Sequence, residues 1–247
     1  MKYNFIGLDI DILDRQEALK ICEDFLNKQM HKTLFFLNAH CYSVSQADSK
    51  YLQTLHNTDL LLNDGIGVKI GLKLLGINEK ENMNGTDFIP QIIELAANMN
   101  KNVYLLGGKP QVAEKAAAEI KNRFPACNVV GFRDGYFSAE QNAEVIKDII
   151  DKKTDVLVVG MGVPRQEIWI YENKEALSQL HLSIAGGAIL DFLSGNAKRA
   201  PKLMRKLGLE WLHRLVRDPK RLWKRNFVSN VKFLFYVMRA KLSGKHP

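Results

Sequence analysis

Cysteine is scarce and scattered. Cys22, Cys41 and Cys127 form no C-x-x-C pair, which argues against a disulfide framework or a cysteine-based zinc site and makes a reducing cytoplasm the simplest home. No stretch approaches the ~18–20 uninterrupted apolar residues that a membrane span needs. The start, Met1 to Asp9, lacks the basic region, apolar run and small-residue cleavage site of a secretory leader. No G-x-G-x-x-G opens the first strand–helix unit and no G-x-x-x-x-G-K-[ST] occurs, so ordinary NAD-binding and P-loop readings have little support. His40, His56 and His181 are not spaced as metal ligands, and no D-x-D pair suggests a metal-held diphosphate. His181 lies in an apolar run and is expected to be a satisfied core histidine. Internal repeats and low-complexity linkers are also missing.

What the 247 residues do contain, 46% of them hydrophobic, suffices for one large α/β domain with a modest appendage. Short apolar runs at 33–37, 60–62, 102–106, 128–132, 155–159 and 180–185 read as strands buried on both faces of a largely parallel sheet. Helical patterns at 14–29, 91–99, 110–124, 138–152 and 164–177 alternate with them, giving a doubly wound, Rossmann-like architecture. Ser138 ahead of Gln141 reads as a capping box, and Pro110 as a first-turn proline. The charge is uneven: 197–247 carries fifteen Lys and Arg against Glu210 and Asp218, whereas 1–196 holds 20 basic and 25 acidic residues. The expected division is a catalytic body, 1–196, and a basic helical appendage, 197–247, with its own electrostatic role.

In a doubly wound sheet, ligands bind beyond the carboxyl ends of the strands. Asp64 stands there, after Leu60-Leu61-Leu62 and before Gly65, and suits either a general base or a turn and helix-capping aspartate. The glycine turns at Gly107-Gly108, at Gly162 and at Gly186-Gly187 are each able to present amides to a diphosphate, although any one of them is ordinary turn geometry. Gln166 and Glu167 open a helix beside the same edge, where an acid also favours a first turn. In the tail, Arg214, Arg217, Arg221 and Arg225 recur three or four residues apart opposite Trp211, Leu215, Leu222, Trp223 and Phe227. That pattern fits a membrane-interface helix, a solvated basic face or a nucleic-acid contact. The apolar segment Phe233 to Met238 favours the membrane.

Several of these segments together resemble the WecG/TagA/CpsF family of glycosyltransferases: Leu37-Asn38-Ala39-His40-Cys41, Asn63-Asp64-Gly65-Ile66-Gly67-Val68, Gly85-Thr86-Asp87-Phe88, Gly162-Val163-Pro164-Arg165-Gln166-Glu167, Lys198-Arg199-Ala200-Pro201 and Gly208-Leu209-Glu210-Trp211. The likeness spans nearly the whole chain in order. It implies an inverting, metal-independent transferase without a cofactor that moves a hexose, such as N-acetylmannosamine or its uronic acid, from a UDP-sugar. The implied acceptor is an undecaprenyl-diphosphate-linked sugar at the inner face of the cytoplasmic membrane. Nucleic acid is not an expected partner, and self-association is.

The resemblance assigns Asp64 as catalytic base, with Asn38 and His40 near the sugar. It places Gly65, Gly107, Gly108, Tyr136, Gly162, Gln166, Glu167, Gly186 and Gly187 about the UDP-sugar, and Arg214, Arg221, Lys224 and Arg225 on the lipid diphosphate. Phe36 and Asn82 depart from the pattern of members that use N-acetylmannosamine, which suits a branch using another hexose. Two other readings are an NAD-dependent nucleotide-sugar-modifying enzyme, which needs the missing fingerprint, and a non-catalytic protein whose basic tail binds nucleic acid or anionic membrane.

Overall fold

The computed structural model describes residues 2–201, 204, 210–217, 219 and 228–244. One eight-stranded sheet organises them, in the order β1-β2-β4-β3-β8-β7-β5-β6. The strands are β1 (Lys2–Phe5), β2 (Leu8–Asp11), β3 (Lys32–Leu37), β4 (Leu60–Asn63), β5 (Asn102–Gly107), β6 (Asn128–Arg133), β7 (Val156–Gly160) and β8 (Leu182–Ala185). Every neighbouring pair is parallel except the β1–β2 hairpin at one edge. The sequence reading finds six of these strands and misses the hairpin. Its turn runs through Ile6 and Gly7, both at positive φ (45° and 91°), and Ile6 lacks the polar signature such a turn usually carries.

Helices cover both faces. On one lie α1 (Arg15–Asn27), α5 (Gly85–Asn98), α6 (Val112–Arg123) and α9 (Ile189–Leu193), packed against Leu34, Phe36, Leu62, Leu105 and Val158. On the other lie α2 (Ala39–Ser45), α3 (Ser49–His56), α4 (Gly65–Leu74), α7 (Asn142–Asp151) and α8 (Arg165–Glu172), packed against Phe35, Leu37, Leu61, Leu106 and Val159. Alternate residues of one strand thus enter different cores, which is why the strands read as continuous apolar runs.

Local chemistry sets the helix ends. Asp14 accepts from the Glu17 amide and donates its own amide to the Glu17 carboxylate, a reciprocal cap on α1. The box expected at Ser138 is only half made: the Ser138 amide donates to Gln141 Oε1 at 3.0 Å, a turn follows, and α7 starts at Asn142. Pro110 likewise lies in a turn, with Gln111 left-handed ahead of α6. Pro90, inside α5, deprives the Thr86 carbonyl of its helical donor, and Arg199 Nη1 approaches that oxygen at 3.4 Å. His181 has partners, as expected, but sits at the amino-terminal rim of the sheet, with Nδ1 2.7 Å from the Lys28 carbonyl and Nε2 3.2 Å from Asp155.

Beyond residue 201 the described elements are α10 (Glu210–Arg217) and α11 (Ser229–Leu242). Helix α11 lies across α2 and α4, with Phe233 and Val237 buried among Phe5 and Tyr42. Gly71 makes the close seat, since a Cβ there would stand 2.9 Å from the tip of the Phe233 ring. The apolar segment read as membrane-facing is therefore divided: Phe233 and Val237 serve the core, while Leu234, Phe235 and Met238 face solvent. No described helix is long and apolar enough to cross a membrane.

Candidate active site

The carboxyl ends of β3, β4, β5, β7 and β8 point to one edge, as parallel pairing requires, and a cleft of about 770 Å³ opens there. It gathers Asn38, His40, Asp64, Gly65, Gly108, Tyr136, Gly162, Gln166, Glu167, Gly186 and Gly187, all expected from the sequence. Gly107 lies just beneath the lining. Its φ of +137° and a space in which a Cβ would fall 2.4 Å from the Gly160 carbonyl oxygen make it the packing contact between β5 and β7. Lys224, Arg221 and Arg225 lie outside the described residues, as does the side chain of Arg214.

Asp64 holds the N-cap position of α4 but makes no capping bond. The Gly65 amide is instead taken by Asn82 Oδ1 at 2.8 Å, so a neighbouring loop shapes the turn and the Asp64 carboxylate has no capping duty. Asn38 does cap: its Oδ1 accepts from the Cys41 amide at 3.0 Å, which leaves its NH2 as the part that can meet a ligand. His40 Nδ1 lies 2.9 Å from Ser229 Oγ, and Ser43 Oγ donates to the Ser229 carbonyl at 2.7 Å. These two bonds fix the start of α11 to α2 beside the cleft, and Asn230, Phe233 and Leu234 complete that wall.

The glycine turns work differently from the expectation. Gly108 donates to the Gly160 carbonyl (3.0 Å) and Gly186 to that of Val159 (2.8 Å). Gly162 and Gly187 both donate to one atom, Gln166 Oε1, each at 3.0 Å. Their amides are engaged within the fold, so the glycines offer close approach rather than a row of idle donors. Gln166 thereby clamps the turn after β7 to the turn after β8. With its oxygen committed, its Nε2 must face the other way, and it donates to Glu167 Oε1 at 2.8 Å. Glu167 is 1% exposed, its Oε2 has no partner, and burial pushes its carboxyl up to about 7.

Two cations border the cleft that the sequence reading leaves out of the site. Lys109 follows Gly108, and Arg165 opens α8, its guanidinium 5.4 Å from the centre of the Phe137 ring. Lys109 directly follows the Gly107-Gly108 turn, and a positive charge at that place is the signal the sequence offers for it. Tyr136, 68% exposed, stands at the rim in a turn where its amide donates to Asp134 Oδ1 at 2.8 Å. Phe36 lies under Gly85, its ring carbons 3.4 Å from where a Cβ would be. From α10, Glu210 and Trp211 reach the same cleft, and Arg199 pairs bidentately with Asp87 (2.7 and 3.0 Å) while approaching Glu210 at 3.5 Å. Among the described residues no three His, Cys, Asp or Glu side chains converge as a metal ion would require.

Comparison with known proteins extends these observations. The chain is 29% identical over 221 residues to the N-acetylglucosaminyldiphosphoundecaprenol N-acetyl-beta-D-mannosaminyltransferase of Bacillus subtilis strain 168, covering 90% of this chain and 84% of that one. The protein of the same name from Bacillus spizizenii is 30% identical over 198 residues, 80% of this chain and 75% of that one. The model of the glycosyl transferase WecG/TagA/CpsF family matches residues 3–247. With a whole-length match and a cleft at the carboxyl edge of a Rossmann-like sheet, the chain belongs to the WecG/TagA/CpsF family of glycosyltransferases.

Proposed function

We propose that the protein transfers a hexose from a UDP-sugar to a sugar carried on a polyprenyl diphosphate, with inversion at the anomeric carbon and no metal ion. The observation that carries the reading is Asp64, a carboxylate between the carboxyl end of β4 and the start of α4 that lines the cleft of a glycosyltransferase. In the reaction Asp64 takes the proton of the acceptor hydroxyl as that oxygen attacks the anomeric carbon. The bond from that carbon to the UDP oxygen breaks on the opposite side. The departing diphosphate gathers negative charge, which Lys109 and Arg165 are set to meet within the cleft. Arg214, Arg221, Lys224 and Arg225 are the proposed holders of the lipid diphosphate. Tyr136 offers a ring for uridine, and Asn38 and His40 polar groups for the sugar.

The names of the Bacillus relatives favour an acceptor bearing N-acetylglucosamine on undecaprenyl diphosphate, and they make N-acetylmannosamine the first donor to try. Phe36, which gives the cleft an apolar surface, makes another hexose the second. Such an acceptor places the enzyme at the inner face of the cytoplasmic membrane. The exposed Leu234, Phe235 and Met238 of α11, flanked by Lys232 and Arg239, suit an anionic bilayer surface. The test is a panel of UDP-sugars with a short-chain lipid-diphosphate sugar, following UDP release and product mass. Asp64→Asn is expected to lower kcat roughly 10²–10⁴-fold while UDP still binds. Full activity in that variant removes Asp64 as the base, and no UDP-sugar binding by the wild type overturns the assignment.

A further inference from the structure

Glu167 is a buried side chain bordering the cleft whose state the transfer reaction leaves unexplained. The carboxyl is almost wholly enclosed, and only one of its oxygens is satisfied. That asymmetry is imposed from outside. Gln166 Oε1 is held by the amides of Gly162 and Gly187, so Gln166 presents a donor to Glu167 Oε1 and nothing that Oε2 could use. Facing Glu167 from the packed helices are Cys41 on α2 and Tyr51 on α3, both held protonated by burial, the thiol pushed up to about 12. Asp64 adds to the electrostatic pressure that keeps the Cys41 thiol protonated. No cation among the described residues offsets the burial of Glu167.

A carboxylate in that setting would leave a buried charge unpaired, which is more costly than a neutral acid with one bond made. An acid whose Oε1 accepts from Gln166 carries its proton on the unpartnered Oε2, and Glu167 is among the residues that line the cleft. We infer that Glu167 is a substrate-binding residue which works as a neutral carboxylic acid, its Oε2–H donating a hydrogen bond to an oxygen of the nucleotide-sugar donor. This rests on the proposed UDP-sugar reading and adds to it the protonation state and direction of one contact. A neutral donor suits an electron-rich ligand where a carboxylate would repel the diphosphate. The accepting oxygen belongs either to the UDP portion or to the hexose, and the same chemistry serves both.

Calorimetric titration with UDP and with UDP-N-acetylmannosamine between pH 5.5 and 8.5 tests it, on the full chain and on Glu167→Gln, Glu167→Ala and Tyr51→Phe. In the wild type, binding is expected to weaken as pH rises through about 7, the range to which burial lifts this acid. Glu167→Gln, which keeps a donor but cannot ionise, is expected to bind across the range without that break. Glu167→Ala is expected to bind roughly tenfold to a hundredfold more weakly at pH 6, the cost of one lost bond to a buried group. Tyr51→Phe is expected to keep the wild-type break. Weakening of UDP itself assigns the oxygen to the nucleotide, and weakening of the UDP-sugar alone assigns it to the hexose. Thermal unfolding at pH 6 checks that each variant is folded.

A pH break that arises from another titrating group would persist in Glu167→Gln. That outcome, undiminished binding by Glu167→Ala, or loss of the break in Tyr51→Phe overturns the inference while UDP-sugar binding by the wild type keeps the functional reading. Failure of the wild type to bind either ligand overturns both.

Discussion

Glu167 shows how far one side chain can tie stability to pH. Below the ordinary glutamate value of 4.5 the native and unfolded chains both hold its proton, and pH has no effect through this group. Between 4.5 and about 7 the unfolded chain releases the proton and the native chain keeps it, so native stability falls across that window and levels off above it. Glu167→Gln is therefore expected to gain up to about 3 kcal/mol over wild type at pH 8 and nothing at pH 4, measured by urea unfolding at both values. Gln166→Leu keeps the volume but strips the clamp from Gly162 and Gly187 and leaves Glu167 Oε1 bare. A loss of about 2–4 kcal/mol is expected, read from the same curves. At this scale Asp64 was legible as a carboxylate at a strand tip, because strand, turn and residue are contiguous. The Gln166 clamp was not, because its acceptor role depends on two turns 21 residues or more apart meeting in space.

At the scale of elements, legibility followed periodicity and propensity. Strands β3 to β8 and helices α1, α5, α6, α7 and α8 announce themselves through apolar runs and helical spacing, whereas α4 carries Gly65, Gly67 and Gly71 and so hides its helix behind low propensity. The glycines that obscure α4 also make it useful. Gly67 lets α2 approach, with Ala39 Cβ 3.0 Å from where its own Cβ would be, and Gly71 admits the Phe233 ring of α11. Gly71→Ala adds helix propensity, yet its methyl meets Phe233 and Phe5 ring carbons at 2.9 and 3.0 Å. Overpacking is expected to win, destabilising by about 1–2 kcal/mol and shifting α11, which a drop in both melting temperature and UDP-sugar affinity would report. If the melting temperature rises instead, the seat is looser than its geometry implies.

Across the whole molecule the mild acidity of 1–196 and the strong positive charge of 197–247 were plain from composition, and so was an expected boundary between them. Composition carries no contact information, however, and α11 joins the core of the acidic body through Phe233 and Val237. Association with vesicles containing phosphatidylglycerol is expected to fall steeply between 50 and 500 mM salt, as screening removes the attraction of the basic tail. Sedimentation of vesicles with bound protein measures it. Binding that ignores salt would assign the attachment to the exposed apolar residues of α11 alone.

The bond between His40 and Ser229 closes a loop of 189 residues. Helix α11 is the last described element to be made, so this wall of the cleft is expected to assemble late in synthesis. During synthesis α2 and α4 leave the ribosome long before α11, and for that interval Phe5 and Tyr42 lack the aromatic ring that covers them. Refolding from urea should accordingly restore the circular dichroism of the sheet and its helices first and UDP-sugar binding measurably later. A newly made copy would hold its fold before it can hold a donor.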